Sequence, residues 1–261
     1  MNMKASFNKK MEYGFTLVEM AIVLVILGFV LGALLLPLQA QRQSAAQAQT
    51  ENTLESAKQA LLGYAQQQGR LPCPATSNGS GTFPDDSGNA NPSAGGNCIS
   101  QLGFLPAATL GIQPTDAQGF ALDAWNNRIM YAVSQSDLGG VATADFTTSG
   151  DMNAVAITTL APELRVCMSA TGVTATKCSG GTESNFVINN AAVVIYSLGS
   201  TGALASGGAD ESANPTVAIN PKSVFVSHDV RATAGNQFDH VVTWISPYVL
   251  YNAMIQAGQL H

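Results

Sequence analysis

The sequence predicts an α+β fold: one long N-terminal helix, a head built on an antiparallel β-sheet with large loops, and a short C-terminal helix. Three observations carry that prediction. An apolar block, Phe15 to Leu38, runs on into an Ala-, Gln- and Glu-rich segment that holds no proline as far as Gln68. Beyond Arg70 the texture changes to short apolar runs divided by turn residues. Near the end, Ser246-Pro247 precedes an apolar stretch closed by Gly258, the order of an N-cap, a first helical residue and a helix stop. Composition narrows the class further. Charged residues make up 11% of the 261-residue chain and the net charge is −6, against about 25% charged in an average soluble domain. Lys and Arg are sparse, 11 in all, so bulk nucleic-acid binding by counterion release, which needs them clustered, is not expected.

The first element is the apolar block. Its one ionisable residue is Glu19. At about 1.5 Å per residue a helix over 15–38 is long enough for a hydrocarbon core of roughly 30 Å. Lys4, Lys9 and Lys10 precede it and only Arg42 follows closely, which orients the N-terminus to the cytoplasm and the rest outward, in a single pass. A cleaved secretory signal would carry a shorter apolar core and a small-x-small site behind it; here the residues after the block, Gln39 to Gln47, continue as helix.

The junction in front of the block is specific. The string Gly14-Phe15-Thr16-Leu17-Val18-Glu19-Met20, followed by Ala21 to Gly28, resembles the N-terminus of type IV prepilins and of the pseudopilins of type II secretion. That resemblance implies a pilin-like fold, cleavage between Gly14 and Phe15 by a membrane prepilin peptidase, and N-methylation of the new terminal Phe15 by the same enzyme. It implies no catalytic residues and no cofactor in this chain. The implied partners are other pilin or pseudopilin subunits, the peptidase, the inner membrane and an assembly platform. The implied location is the bacterial inner membrane with a periplasmic head, then a periplasmic pseudopilus or surface pilus. The expected segments are a leader at 1–14, an assembly helix at 15–38, its amphipathic continuation at 39–69 and an exported head at 70–261. Pro37 falls one position later than the usual pilin proline.

Glu19 makes physical sense beside the name. A carboxylate near the centre of an apolar span costs about 2.5–3.5 kcal/mol on insertion scales, less near its end, and is kept where it has a partner. No basic side chain lies within a helical turn, so the expected partner is on another molecule: the amino group freed at a neighbouring Phe15. Such a pair would set the stagger between subunits during assembly.

The helix is expected to run to Gln68, with Gly69 as its cap. Leu54, Ala57, Leu61 and Ala65 recur at three- and four-residue spacing, widened by Leu62, and mark the face that packs on a sheet. Leu71-Pro72-Cys73-Pro74 prevents further helix, and 75–96 reads as a long loop. Asp123-Ala124-Trp125-Asn126-Asn127-Arg128-Ile129-Met130-Tyr131 resembles the D-P-W-G-N-x-x-x-Y strand lead-in of major pseudopilins, with Ala124 and Asn126 in place of Pro and Gly. Strands are expected at Ile129–Val133, Ala154–Thr159, Leu164–Met168, Ala192–Leu198, Ser223–Val226 and His240–Ile245. A head larger than most pilin heads points to a minor or specialised subunit.

Four cysteines, Cys73, Cys98, Cys167 and Cys178, all lie on the exported side and favour disulfides. Three pairings are open, of which the nearest-neighbour one closes a loop-rich insert and a hairpin-like turn. No C-x2-C supports zinc. His228 adjoins Asp229 and His240 adjoins Asp239, but neighbours in a strand face opposite sides, so neither pair is expected to act jointly and no metal site is expected there. Asp85 and Asp86 resemble the start of a calcium loop that lacks the closing glutamate, because position twelve is Gly96. No nucleophile elbow, zincin helix or phosphate loop appears. A signal-anchored periplasmic binding protein or adhesin that never polymerises is the alternative.

Overall fold

The computed structural model describes residues 14, 16–76, 97–138, 143–155, 157–179, 184–202, 207–217, 221–233 and 235–261, with the side chains of 33–39 outside that set. Two compact units result, one reaching Ala45 and one covering Ala46–His261. The first contributes the opening part of helix α1 (Leu17–Gln68), which is helical through Pro37. Its described apolar side chains are exposed, among them Leu17, Leu24 and Phe29. Among the described residues no helix is long and apolar enough to cross a membrane. The span expected over 15–38 takes in Phe15 and the side chains of 33–39, which lie outside those residues.

In the second unit α1 buries the stripe that the spacing predicts. Leu54, Ala57, Leu61 and Ala65 are at most 1% exposed, and Thr50 extends the line by one turn. Gly69 ends the helix with φ +67°, its N–H donating to Ala65 O at 2.9 Å. A left-handed residue is needed there to turn the chain off the helix, and glycine adopts it without a Cβ penalty.

The remaining elements follow in chain order: β1 (Leu102–Phe104), α2 (Ala107–Leu110), β2 (Met130–Val133), α3 (Asp151–Ala154), β3 (Leu164–Cys167), β4 (Phe186–Ala191), β5 (Val193–Ser197), α4 (Ala209–Ser212), β6 (Val224–Val226), β7 (Arg231–Thr233), β8 (Asn236–Phe238), β9 (Val241–Ile245) and α5 (Pro247–Gln256). Strands β1-β2-β5-β9 form an antiparallel sheet, with Tyr131 opposite Ile195 and Val194 opposite Trp244. A second sheet has the order β4-β3-β6, and β7-β8 is a separate hairpin.

Alternation along the four-stranded sheet divides the core in two. Tyr131, Val133, Val193 and Ile195 join the α1 stripe and Leu250 and Met254 of α5 in one cluster. Their neighbours Met130, Ala132, Val194 and Tyr196 join Leu164, Val166 and Phe225 of the second sheet in another. The layers are therefore helices, sheet, sheet, as expected when a central sheet has two apolar faces to cover. Helix α5 starts as its sequence requires: the Ser246 side chain accepts from Val249 N at 3.4 Å, Pro247 occupies the first turn, and Gly258 follows with φ +71°.

Three expectations need correction. The strand at Ala154–Thr159 is absent. Gly150, at φ +85°, instead starts the one-turn α3, in which Ala154 N donates to Gly150 O at 2.9 Å and Met152 is buried. The head is not purely antiparallel, because β3 and β6 run parallel with Val166 opposite Phe225. A connection that first passes through β4 and β5 is long enough to return the chain in the same direction. Strand β4 was not expected, since Asn189 and Asn190 break the apolar pattern in its middle and asparagine is depleted in strands.

Candidate functional site

The N-terminal segment places its polar groups around the start of α1. Gly14 is exposed, with open space where a side chain would project. Phe15, the expected methylation site, lies outside the described residues. Thr16 and Glu19 close a reciprocal capping box. Glu19 N donates to Thr16 Oγ1 at 3.2 Å, while Thr16 N and Thr16 Oγ1 each donate to Glu19 Oε2 at 2.9 Å. Two of the helix's orphan N-terminal donors are satisfied in this way, and the carboxylate sits at the positive end of the dipole. Glu19 thus has a partner in its own chain, and that partner is a hydroxyl and a backbone N–H rather than a basic side chain. The signal was present as Thr-x-x-Glu before an apolar run. Both Thr16 donors use Oε2, and Oε1 makes no hydrogen bond among the described residues.

The Asp123 lead-in is a structural device in the head. Buried Asp123 accepts from Trp125 N at 2.9 Å, Asn127 N at 2.8 Å and Ser197 Oγ at 2.6 Å, which pins the turn to the end of β5. Asn126 has φ +66°. This left-handed position explains the glycine of the resembling motif, and asparagine is among the side chains that tolerate it.

The cysteines are joined as Cys73–Cys98 and Cys167–Cys178, with Cα separations of 5.2 and 5.3 Å. Asp85, Asp86 and Gly96 of the calcium-like stretch lie outside the described residues. His261 is exposed, its backbone N donating to Asn153 Oδ1 at 3.2 Å. His228 approaches Asp210 Oδ2 at 3.0 Å through Nε2, and Arg231 Nη1 lies 3.6 Å from the same oxygen.

Asp239 and His240 depart from the expectation that strand geometry separates them. They occupy the two positions between β8 and β9, where alternation does not hold, and Glu211 of α4 meets both. One ligand-type atom from each of the three lies within 4.8 Å of the others. Asp239 is held by Ser200 Oγ at 2.6 Å, Thr201 N at 2.9 Å and Thr201 Oγ1 at 2.8 Å. Glu211 Oε1 accepts from Asp239 N at 3.1 Å. Burial raises the pKa of Glu211, and the charge of Asp239 adds to the shift. Burial also pushes His240 down to about 4, so its ring is neutral at pH 7. A cavity of about 220 Å³ opens beside them, with Glu211, His240, Thr201 and Asn214 in its wall. Nothing in the sequence brings these residues together, since Glu211 and Asp239 meet only through the return of the chain from α4 to β8.

Residues 9–35 match the family model of the prokaryotic N-terminal methylation motif, so the chain carries the prepilin-type signal of type IV pilins and pseudopilins. No curated protein and no solved structure matches the chain.

Proposed function

We propose that this chain is a structural subunit, minor or specialised, of a type IV pilus or type II secretion pseudopilus. In this reading prepilin peptidase cuts between Gly14 and Phe15, Phe15 is N-methylated, and the mature chain polymerises through the first part of α1. The observation that carries the reading is the Gly14–Met20 motif at the head of α1, whose large apolar side chains from Leu17 to Leu31 are exposed. An unpartnered apolar helix needs lipid or other helices around it. Because lipid tails are as apolar as leucine, exchanging one for the other gains little, and shape plus polar pairing decides whether helices associate.

Glu19 supplies the polar pairing. Thr16 holds Oε2 and leaves Oε1 for the terminal amine of an adjacent subunit's Phe15. The chain is anchored in the inner membrane with its head in the periplasm before it enters a filament, so its partners are other subunits, the peptidase and the assembly platform. Intact-mass spectrometry of cells with and without the peptidase tests processing: the mature form should lack residues 1–14 and carry one added methyl. Sheared surface filaments or cross-linked pseudopili test assembly. A mature chain that stays with the inner membrane and never enters either structure would instead fit a signal-anchored binding protein or adhesin.

A further inference from the structure

We propose that Glu211, Asp239 and His240 form a binding site for a divalent transition metal of the zinc class in the head. The donor set fits this chemistry, because two carboxylates and one imidazole are ligands that zinc and its neighbours accept, whereas calcium and magnesium prefer oxygen alone. The three ligand atoms already lie within 4.8 Å of one another. His240 and Glu211 are each 6% exposed, so little ordering remains to be done.

Both carboxylates are held from behind in the way metal ligands usually are. Asp239 takes three hydrogen bonds from Ser200 and Thr201, and Glu211 Oε1 takes two, from Asp239 N at 3.1 Å and from Thr201 Oγ1 at 3.4 Å. Such outer contacts fix ligand direction and leave further lone pairs for an ion. Glu211 Oε2 makes no hydrogen bond among the described residues, and neither does His240 Nε2. Backbone glycines seat the two acids closely: a Cβ at Gly207 would collide with the Glu211 carboxylate, and one at Gly199 with that of Asp239. No Lys, Arg or second histidine pairs with Glu211 or Asp239 among the described residues, so two neighbouring acids lack a counter-charge that a divalent ion would provide. The adjoining cavity leaves room for water in the remaining coordination positions.

One neighbour sets the strength of the site. Asn214 Nδ2 lies 3.2 Å from His240 Nδ1, and Asn214 is itself clamped by Val226, accepting from its N–H and donating to its C=O at 2.8 Å each. The amide therefore presents N–H to Nδ1, which places the ring proton on Nε2. Metal capture by Nε2 moves that proton to Nδ1, against the amide, and weakens binding. A carboxylate at 214 would accept the Nδ1 proton and complete a carboxylate–histidine–metal relay, while giving up the hydrogen bond that Asn214 Nδ2 makes to Val226 C=O.

The test uses the untagged full chain in detergent, stripped with chelator and titrated with zinc sulfate by calorimetry, with melting temperature followed in parallel. Wild type should take up one equivalent and melt higher when loaded. Glu211→Gln and His240→Gln should each weaken binding at least tenfold, and Asn214→Asp should tighten it by about 10–100-fold, the range of such outer contacts. The isosteric Glu211→Gln loss keeps the test decisive should His240→Gln or Asn214→Asp fail to fold. Failure of the wild type to bind zinc, zinc affinity that is unchanged in Glu211→Gln, or binding of calcium in preference to zinc would each overturn the proposal.

Discussion

Two stretches of the same helix behave in opposite ways. From Leu17 to Leu31 most side chains are large and apolar, and these are exposed. From Thr50 to Ala65 the residues are smaller and more polar, yet Leu54, Ala57, Leu61 and Ala65 are buried in the head. Hydrophobicity alone would assign burial the other way round. What decides is partnership within the chain: alanines let the later stretch lie close on the sheet, while the earlier one has no apolar surface of its own unit to meet. In the proposed function the first stretch is completed by other molecules, whereas the second is completed by its own fold.

That contrast can be broken most severely at Glu19. Glu19→Ala should leave membrane insertion intact and abolish or strongly reduce recovery in filaments, as read by immunoblot of sheared or cross-linked material. Normal recovery would remove the intersubunit pairing from consideration. The two stretches should also answer differently to the same substitution. Leu61→Ala removes a fully buried side chain and should destabilise the head by about 2–5 kcal/mol, whereas Leu24→Ala should leave denaturant unfolding of the head unchanged within error. Equal losses at both positions would mean that the first stretch is buried after all.

The disulfides add a covalent contribution to the stability of the head. Replacing Cys73 and Cys98 together by alanine should cost about 3 kcal/mol through the freed loop, and the shorter Cys167–Cys178 ring slightly less, measured by urea unfolding of each double variant. Thr16→Ala is smaller again. Losing the cap should cost about 1 kcal/mol of local helix stability, seen as faster amide exchange over the first turn; slower or unchanged exchange would show that the capping box contributes nothing. The smallest effect belongs to Asn126→Gly, which relieves a left-handed asparagine and should change head stability by only a few tenths of a kcal/mol, whereas Asn126→Val should cost more than 1 kcal/mol.

Much of this architecture could be read from local pattern. The α1 stripe, the Gly69 stop, the Ser246-Pro247 start of α5 and most strands follow from spacing and cap residues within one turn or one strand. What escaped reading was either short or nonlocal. Three-residue strands such as β1, β7 and β8 carry too few residues for alternation to show. The Asn pair hid β4, and the parallel β3–β6 register depends on where the chain returns. At the candidate sites, Thr16 was legible as a cap, but attention to charge obscured it. The Glu211–Asp239–His240 cluster was not legible, because strand alternation was assumed at two positions that lie between strands.

The Cys73–Cys98 bridge has a consequence for how the head can change over time. It fastens the two ends of an intervening Gly-, Asn- and Ser-rich segment. Inside the ring, Ala75 exchanges backbone hydrogen bonds with Phe104 at 2.9 and 2.7 Å, which ties the start of the segment to β1. Doubling the length of a closed loop costs only about 0.6 kcal/mol. A change in the length of the segment between Ala75 and Cys98 therefore costs little in closure entropy. The bridge thus frames a segment whose length can vary without loss of its two fixed ends.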